Sequence, residues 1–331
     1  MRNIKYILLF LLMTGTVQSF AQNTDARKVA WNGYTQLRFS SNFNDVNSFA
    51  MRRMKLWIKS GSGFIKNWGF KVQTTITSYQ NEKFLLQDVL VNYRTGNFKF
   101  TFGQFIPHYS LQRFQPDFKI PLTERAAVIN ALIPDGTLGV RDIGIEAEYS
   151  SPNKILKAWF GVFNGNGIKK YRLNNQGIML TQKTQATIIH QHLRAGYSLM
   201  YRKADQLKIH FVLPDSVIFS GNDVRFNLFA EYQTGDFHIQ AEYLWASLNK
   251  QVADGWYLLA QYNINKNQII ASWNQYNDLI NTISDAPVVQ LGYNYALKGD
   301  KLKLMLDNGF RIDDGRVSHY LTTIQIQLFF N

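Results

Sequence analysis

The sequence predicts an all-β chain closed into a transmembrane antiparallel β-barrel of about 16 strands, and three observations carry that prediction. Short stretches alternate apolar and polar residues with a period of two, the side-chain repeat of a strand. The connections between them alternate short and long, as in barrels with tight periplasmic turns and larger external loops. No stretch reaches the ~20 apolar residues of a spanning helix, and the only other fold that satisfies its backbone in hydrocarbon is a closed sheet.

The N-terminal segment comes first. Arg2 and Lys5 precede an apolar run at 7–13 and then Ser19-Phe20-Ala21, with small residues where a signal peptidase reads. Residues 1–21 read as a cleaved signal peptide, because the run is too short to anchor in a bilayer. Residues 22–331 are then expected to form one barrel domain.

Strands are expected near 29–39, 50–60, 67–77, 84–94, 97–105, 138–149, 155–163, 180–190, 192–203, 223–232, 236–246, 254–263, 268–276, 287–297, 301–311 and 318–330. The eighth is the least regular, with weak alternation and no clear turn after it. Tight connections built on turn residues, such as Thr95-Gly96-Asn97, Thr234-Gly235-Asp236 and Lys298-Gly299-Asp300, follow even-numbered strands. The connections at 106–137, 164–179, 204–222 and 277–286 follow odd-numbered strands and are longer. That parity places both termini in the periplasm, whereas a soluble β-sandwich has no reason to sort loops in this way.

The last strand shows the two faces most cleanly. Tyr320, Thr322, Ile324, Ile326, Leu328 and Phe330 share one side, and Leu321, Thr323, Gln325, Gln327 and Phe329 the other. Elsewhere Phe98, Phe100 and Phe102, or Val289, Leu291, Tyr293, Tyr295 and Leu297, form faces without charge. Lipid contact selects such faces, since a Lys or Arg at the midplane costs about 2–4 kcal/mol.

On the opposite phase, the first five strands carry Arg38, Arg53, Lys55, Lys71, Arg94 and Lys99 against Asp88 alone. Later strands add Lys157, Arg194, Arg202, Arg225, Lys301 and Lys303, opposed by Asp142, Glu146, Glu148, Glu231, Glu242 and Asp307. A basic arc inside a low-dielectric wall concentrates anions.

The connection 106–137 holds Pro107, Pro116, Pro121 and Pro134, so most of it is neither helix nor strand. Its apolar run at 126–133 and its aromatics Tyr109, Phe114 and Phe118 need covering. Folded into the lumen it becomes a constriction that carries Arg113, Lys119, Glu124 and Arg125; packing on a neighbouring subunit is the alternative.

The chain has no cysteine, which excludes disulfides and thiolate chemistry. Its formal charge of +13 falls to +11 when Arg2 and Lys5 leave with the signal, and this charge is spread through strands rather than massed for nucleic acid. His190 and His192 could share a strand face but have no evident third ligand, so neither metal nor cofactor is expected. No nucleophile elbow or Gly-rich phosphate loop is present, and no catalytic residue is assigned. A hydrolase assembled on the rim from distant strands and a structural or adhesive barrel without channel activity are the alternatives.

Several short motifs resemble the phosphate-selective porin O and P family. They are Gly33-Tyr34 with Gln36, Arg38 and Phe39, then Arg52-Arg53, Gly103-Gln104-Phe105, Glu124-Arg125, and Gly139 with Arg141-Asp142 and Gly144. Phe163-Asn164-Gly165, Gly196-Tyr197-Ser198 and Gly255-Trp256-Tyr257 continue the series in order. The resemblance implies a sixteen-stranded trimeric porin of the Gram-negative outer membrane, set in lipid. Its water-filled channel would pass small hydrophilic solutes, with a preference for anions such as phosphate. It also makes Arg38, Arg53 and Arg125 lumen residues, with Lys71 added by strand phase. Two departures stand out: acids, Gln and Asn interrupt the dense Arg and Lys ladder that a narrow phosphate filter needs, and Asn331 follows the terminal aromatic Phe330.

Overall fold

A computed structural model describes residues 29–61, 64–77, 83–133, 140–168, 175–189, 192–209, 212–214, 216–277, 279 and 286–330. Among them run β1 (Val29–Ser41), β2 (Asn47–Ser60), β3 (Trp68–Thr77), β4 (Lys83–Thr95), β5 (Phe98–Phe105), β6 (Asp142–Ser150), β7 (Leu156–Phe163) and β8 (Ile178–Ile188). The second half comprises β9 (Leu193–Leu207), β10 (Phe219–Thr234), β11 (Phe237–Leu248), β12 (Gln251–Ile264), β13 (Asn267–Asn277), β14 (Val288–Asp300), β15 (Leu302–Asp313) and β16 (Arg316–Phe330). Neighbours in sequence pair antiparallel, and β16 closes on β1 from Gly33 opposite Phe330 to Ser41 opposite Thr322. The sheet is therefore a closed sixteen-stranded barrel with no free edge. No described helix is long and apolar enough to cross a membrane.

The faces fall as the alternation requires. Phe98, Phe102, Leu291, Leu304 and Ile324 are exposed on the outside, while Thr323, Gln325 and Gln327 are buried inside. The eighth strand begins two residues before the expected frame. Its alternation is weak because both faces carry polar residues: Thr181, Lys183 and Gln185 are buried inward, while Gln182 on the other phase donates to Thr184 Oγ1 at 2.6 Å.

The parity of connection lengths holds after β5, β7, β9 and β13 but not everywhere. Asn249-Lys250 joins β11 to β12, and Asp314-Gly315 joins β15 to β16. All four residues have positive φ, the signature of the two-residue turn whose twist matches a hairpin. Lys301, expected on the wall, lies in the turn between β14 and β15. Close backbone approaches explain two of the motif glycines: Gly103 stands opposite Gly144, and a Cβ would lie 2.2 Å from Val89 O at Gly103 and 2.2 Å from Val162 O at Gly144.

The interior is not uniformly polar, which the charge pattern did not reveal. Inward Met179, Met200, Leu244, Ala246, Ala253, Leu259 and Ile270 form an apolar half-wall. The long connection packs on it with Leu122, Val128, Ile129, Leu132 and Ile133. Part of that apolar run is a short helix, α1 (Ala127–Leu132), against β11, β12 and β13. Each fully buried aliphatic side chain contributes about 1.5–3 kcal/mol, enough to hold the loop in the lumen rather than against a neighbouring subunit.

Candidate channel constriction

Two β-bulges shape the basic side of the lumen. Between β1 and β2 the register passes from Gln36 opposite Arg53 to Leu37 opposite Met51, leaving Arg52 as the extra residue. Strict alternation would turn Arg52 towards lipid, but the bulge lets both arginines reach the loop. Between β3 and β4 the register skips Gln87 in the same way, and Gln87 and Asp88 are both buried. Gln73 donates to Gln87 Oε1 at 2.8 Å.

Two loop acids gather the arc. Glu124 accepts from Arg38 Nη1 at 2.9 Å and from Arg52 Nη2 at 3.0 Å, with Arg53 Nη2 at 3.6 Å. Asp117 pairs with Arg53 Nη1 at 2.8 Å and also with Lys55 and Arg125; the Tyr34 hydroxyl donates to it at 3.2 Å. Arg38 further donates to Gln325 Oε1 at 2.7 Å. Further along the wall, Asp88 is shared by Lys71 at 2.6 Å and Arg141 at 2.7 Å, and Lys99 pairs with Glu148 at 3.2 Å. Asp88 is the one acid on β1 to β5 that opposes the arc, as expected of the wall, and the loop adds Asp117 and Glu124.

Burial by itself would raise both loop carboxyls. The guanidinium groups of Arg125 and Arg53 and the Lys55 ammonium outweigh it at Asp117, which sits well below the usual carboxylate range. At Glu124 the hydrogen bond and charge of Arg52, with Arg53 and Arg38, bring the value down to about 2.

The acids of the later strands do different work. Glu242 accepts the backbone N–H groups of Leu111 and Gln112 at 2.8 and 2.6 Å, the Tyr257 hydroxyl at 2.8 Å and the Asn227 amide at 2.9 Å. Asp307 accepts from Thr123 N and Oγ1 at 3.1 and 2.8 Å. Glu146 takes the His108 N–H at 2.9 Å and contacts its ring, which stacks between Phe114 and Trp159. Asp223 binds Arg202 and Arg225, and Arg225 donates to Leu132 O at 3.0 Å. Lys183 donates to Ser110 O at 2.6 Å, with its ammonium 4.8 Å from the Phe229 ring centre. These groups fasten the loop, and of their acids only Glu146 also lines the space beside the basic arc.

Between the loop and the wall of β1 to β6 lies a cavity of about 540 Å³. Seven cationic side chains line it, Lys55, Lys59, Lys71, Lys99, Arg113, Arg125 and Arg141, against the three acids Asp88, Asp117 and Glu146. Arg113 Nε is buried without a hydrogen-bond partner, and neither Arg113 nor Lys59 forms an ion pair among the described residues. Lys119 stands apart, exposed and away from the cavity lining.

Sequence reasoning missed Asp117, Arg52 and Lys59. Lys59 shares the strand phase of Arg53 and Lys55 and was findable; Asp117 lies in irregular backbone and Arg52 depends on a bulge, so no period marks either. His190 lies outside the described residues, and His192 contacts Gln233 O at 2.7 Å. No group of three or more His, Cys, Asp or Glu among the described residues is arranged to hold a metal ion.

A closed sixteen-stranded barrel with an apolar outside and a loop folded into a charged lumen is the architecture of an outer-membrane porin. A family model for phosphate-selective porin O and P matches residues 23–311, and the chain belongs to that family. No curated protein matches in sequence. Among solved structures, OmpF of Salmonella typhi in complex with daunomycin is similar at a TM-score of 0.66 and 12% identity, covering 93% of this chain and 99% of that one. OprB of Pseudomonas putida gives 0.66 and 12%, covering 92% and 94%. The trimer form of OmpT from Vibrio cholerae gives 0.61 and 13%, covering 92% and 100%. At such identities the likeness is one of fold. Membership of that family makes this an outer-membrane porin.

Proposed function

We propose that this porin prefers small anions, phosphate among them, and that its selectivity arises in the cavity beneath the loop. The observation that carries the reading is the excess of seven cations over three acids on that lining, with Arg113 and Lys59 in no ion pair among the described residues. Such a lining inside a low-dielectric wall focuses field and draws anions. Arg38, Arg53, Lys55, Lys71, Lys99 and Arg125 supply the field, and Arg113 and Glu124 set the constriction. Lys119 contributes only at long range. The assembled form in this reading is a homotrimer, exported by a signal peptide that ends at Ala21.

The test is the reversal potential of single channels in a salt gradient. Chloride should outrun potassium at 0.1 M salt and lose much of that lead at 1 M, because the Debye length falls from about 10 Å to about 3 Å. Replacing Lys59 and Arg113 together by Gln should shift the reversal potential towards potassium. A wild-type channel that already prefers potassium at low salt would overturn the reading.

A further inference from the structure

Resting on the reading of this cavity as an anion site, we infer that its preferred solute is an organic anion, a phosphate or carboxylate group borne on a flat ring. The lining that holds the cations also holds aromatic rings. Trp57 lies between Lys55 and Lys59 on the inward phase of β2, and Trp57, Tyr34 and Phe118 all border the cavity. The Trp57 and Phe118 planes lie within 10° of parallel, with centres 6.5 Å apart. Phe118 fastens the loop by packing against Tyr34 and Phe329, while Trp57 and Phe118, both only partly buried, keep ring surface on the cavity lining on which a ring-bearing solute can stack.

The anionic end has a place beside these rings. Lys59 stands directly opposite Lys71 across the β2–β3 pair, and both line the cavity. Like charges directly opposite destabilise a sheet, and an anion between them reverses the sign of the interaction. Asp88 cannot fully offset the pair, since it binds Lys71 and Arg141 at once and does not pair with Lys59. The volume of about 540 Å³ falls within the roughly 300–1,000 Å³ of cavities that enclose organic ligands.

Current block in planar bilayers tests this with three probes of equal anionic group: inorganic phosphate, glycerol phosphate and phenyl phosphate. Phenyl phosphate should half-block the current at a concentration about tenfold lower than glycerol phosphate, the scale of one stacked ring. Trp57→Leu should bring the ratio of the two half-blocking concentrations close to one, and Phe118→Leu should reduce it as a second check. Lys59→Gln should weaken block by all three probes. Equal block by phenyl and glycerol phosphate in the wild type overturns the ring site while leaving the anion channel in place. Absence of block by any probe, together with a reversal potential favouring potassium, overturns the underlying reading instead.

Discussion

Asp117 joins loop to wall through Arg53, Lys55 and the Tyr34 hydroxyl, and pairs within the loop with Arg125. Its removal should be felt twice. Asp117→Asn leaves buried cations without their counter-charge, a change of about 3–5 kcal/mol in comparable buried pairs. The expected result is a less firmly held loop and a stronger chloride preference, read as noisier single-channel current and a shifted reversal potential; an unchanged channel would show that the pairing does not shape the pore. Acid should act through the same groups. Asp117 and Glu124 have folded-state values depressed below the ordinary range near 4, so their contribution is complete above that range and is lost as pH falls through the depressed values. The part of the conductance that depends on these two carboxylates, read as the difference between wild type and a variant lacking both charges, should therefore hold down to about pH 4 and change only as pH approaches the Glu124 value of about 2. A transition centred at pH 5 would contradict this.

At the scale of the element, the loop is held by two kinds of contact that can be separated. Glu242 gathers the backbone of Leu111 and Gln112, while Ile129 and Leu132 of α1 sit in the apolar half-wall. Ile129→Ala should weaken α1 docking by about 2–5 kcal/mol, the cost of such a cavity. Glu242→Ala should free the turn at Gln112–Phe114 instead. Both variants should raise conductance and expose the loop to protease in intact cells, without loss of the barrel. Conductance equal to wild type in both would mean that the loop does not limit flow.

For the whole molecule, the apolar outside and the closed hydrogen-bond ladder decide assembly. Leu291→Arg or Leu304→Arg puts a charge in hydrocarbon at a cost of about 2–4 kcal/mol and should reduce the heat-modifiable folded form on gels. Gln325→Arg is inward and should leave that form intact, but it is not silent: Gln325 accepts from Arg38, so a second guanidinium there should disturb the constriction and its selectivity. Equal loss of folded barrel in all three would argue against lipid contact. In intact cells, protease should cut within 204–222 and spare the turn at Thr234-Gly235-Asp236.

The sequence by itself determined the barrel, its strand count and which face meets lipid, because a period of two and charge-free faces are local properties imposed by the bilayer. It also placed Arg38, Arg53, Lys55 and Lys71 on the inner phase of their strands. Only the tertiary structure decided what those charges meet. The bulges that bring in Arg52 and Gln87, the seating of α1 among inward apolar residues, and the arrival of Asp117 at Arg53 and Lys55 all join separate segments of the chain. Alternation assigns a side chain to a face but carries no information about which residue stands across the lumen, and that pairing sets where the charge remains unopposed.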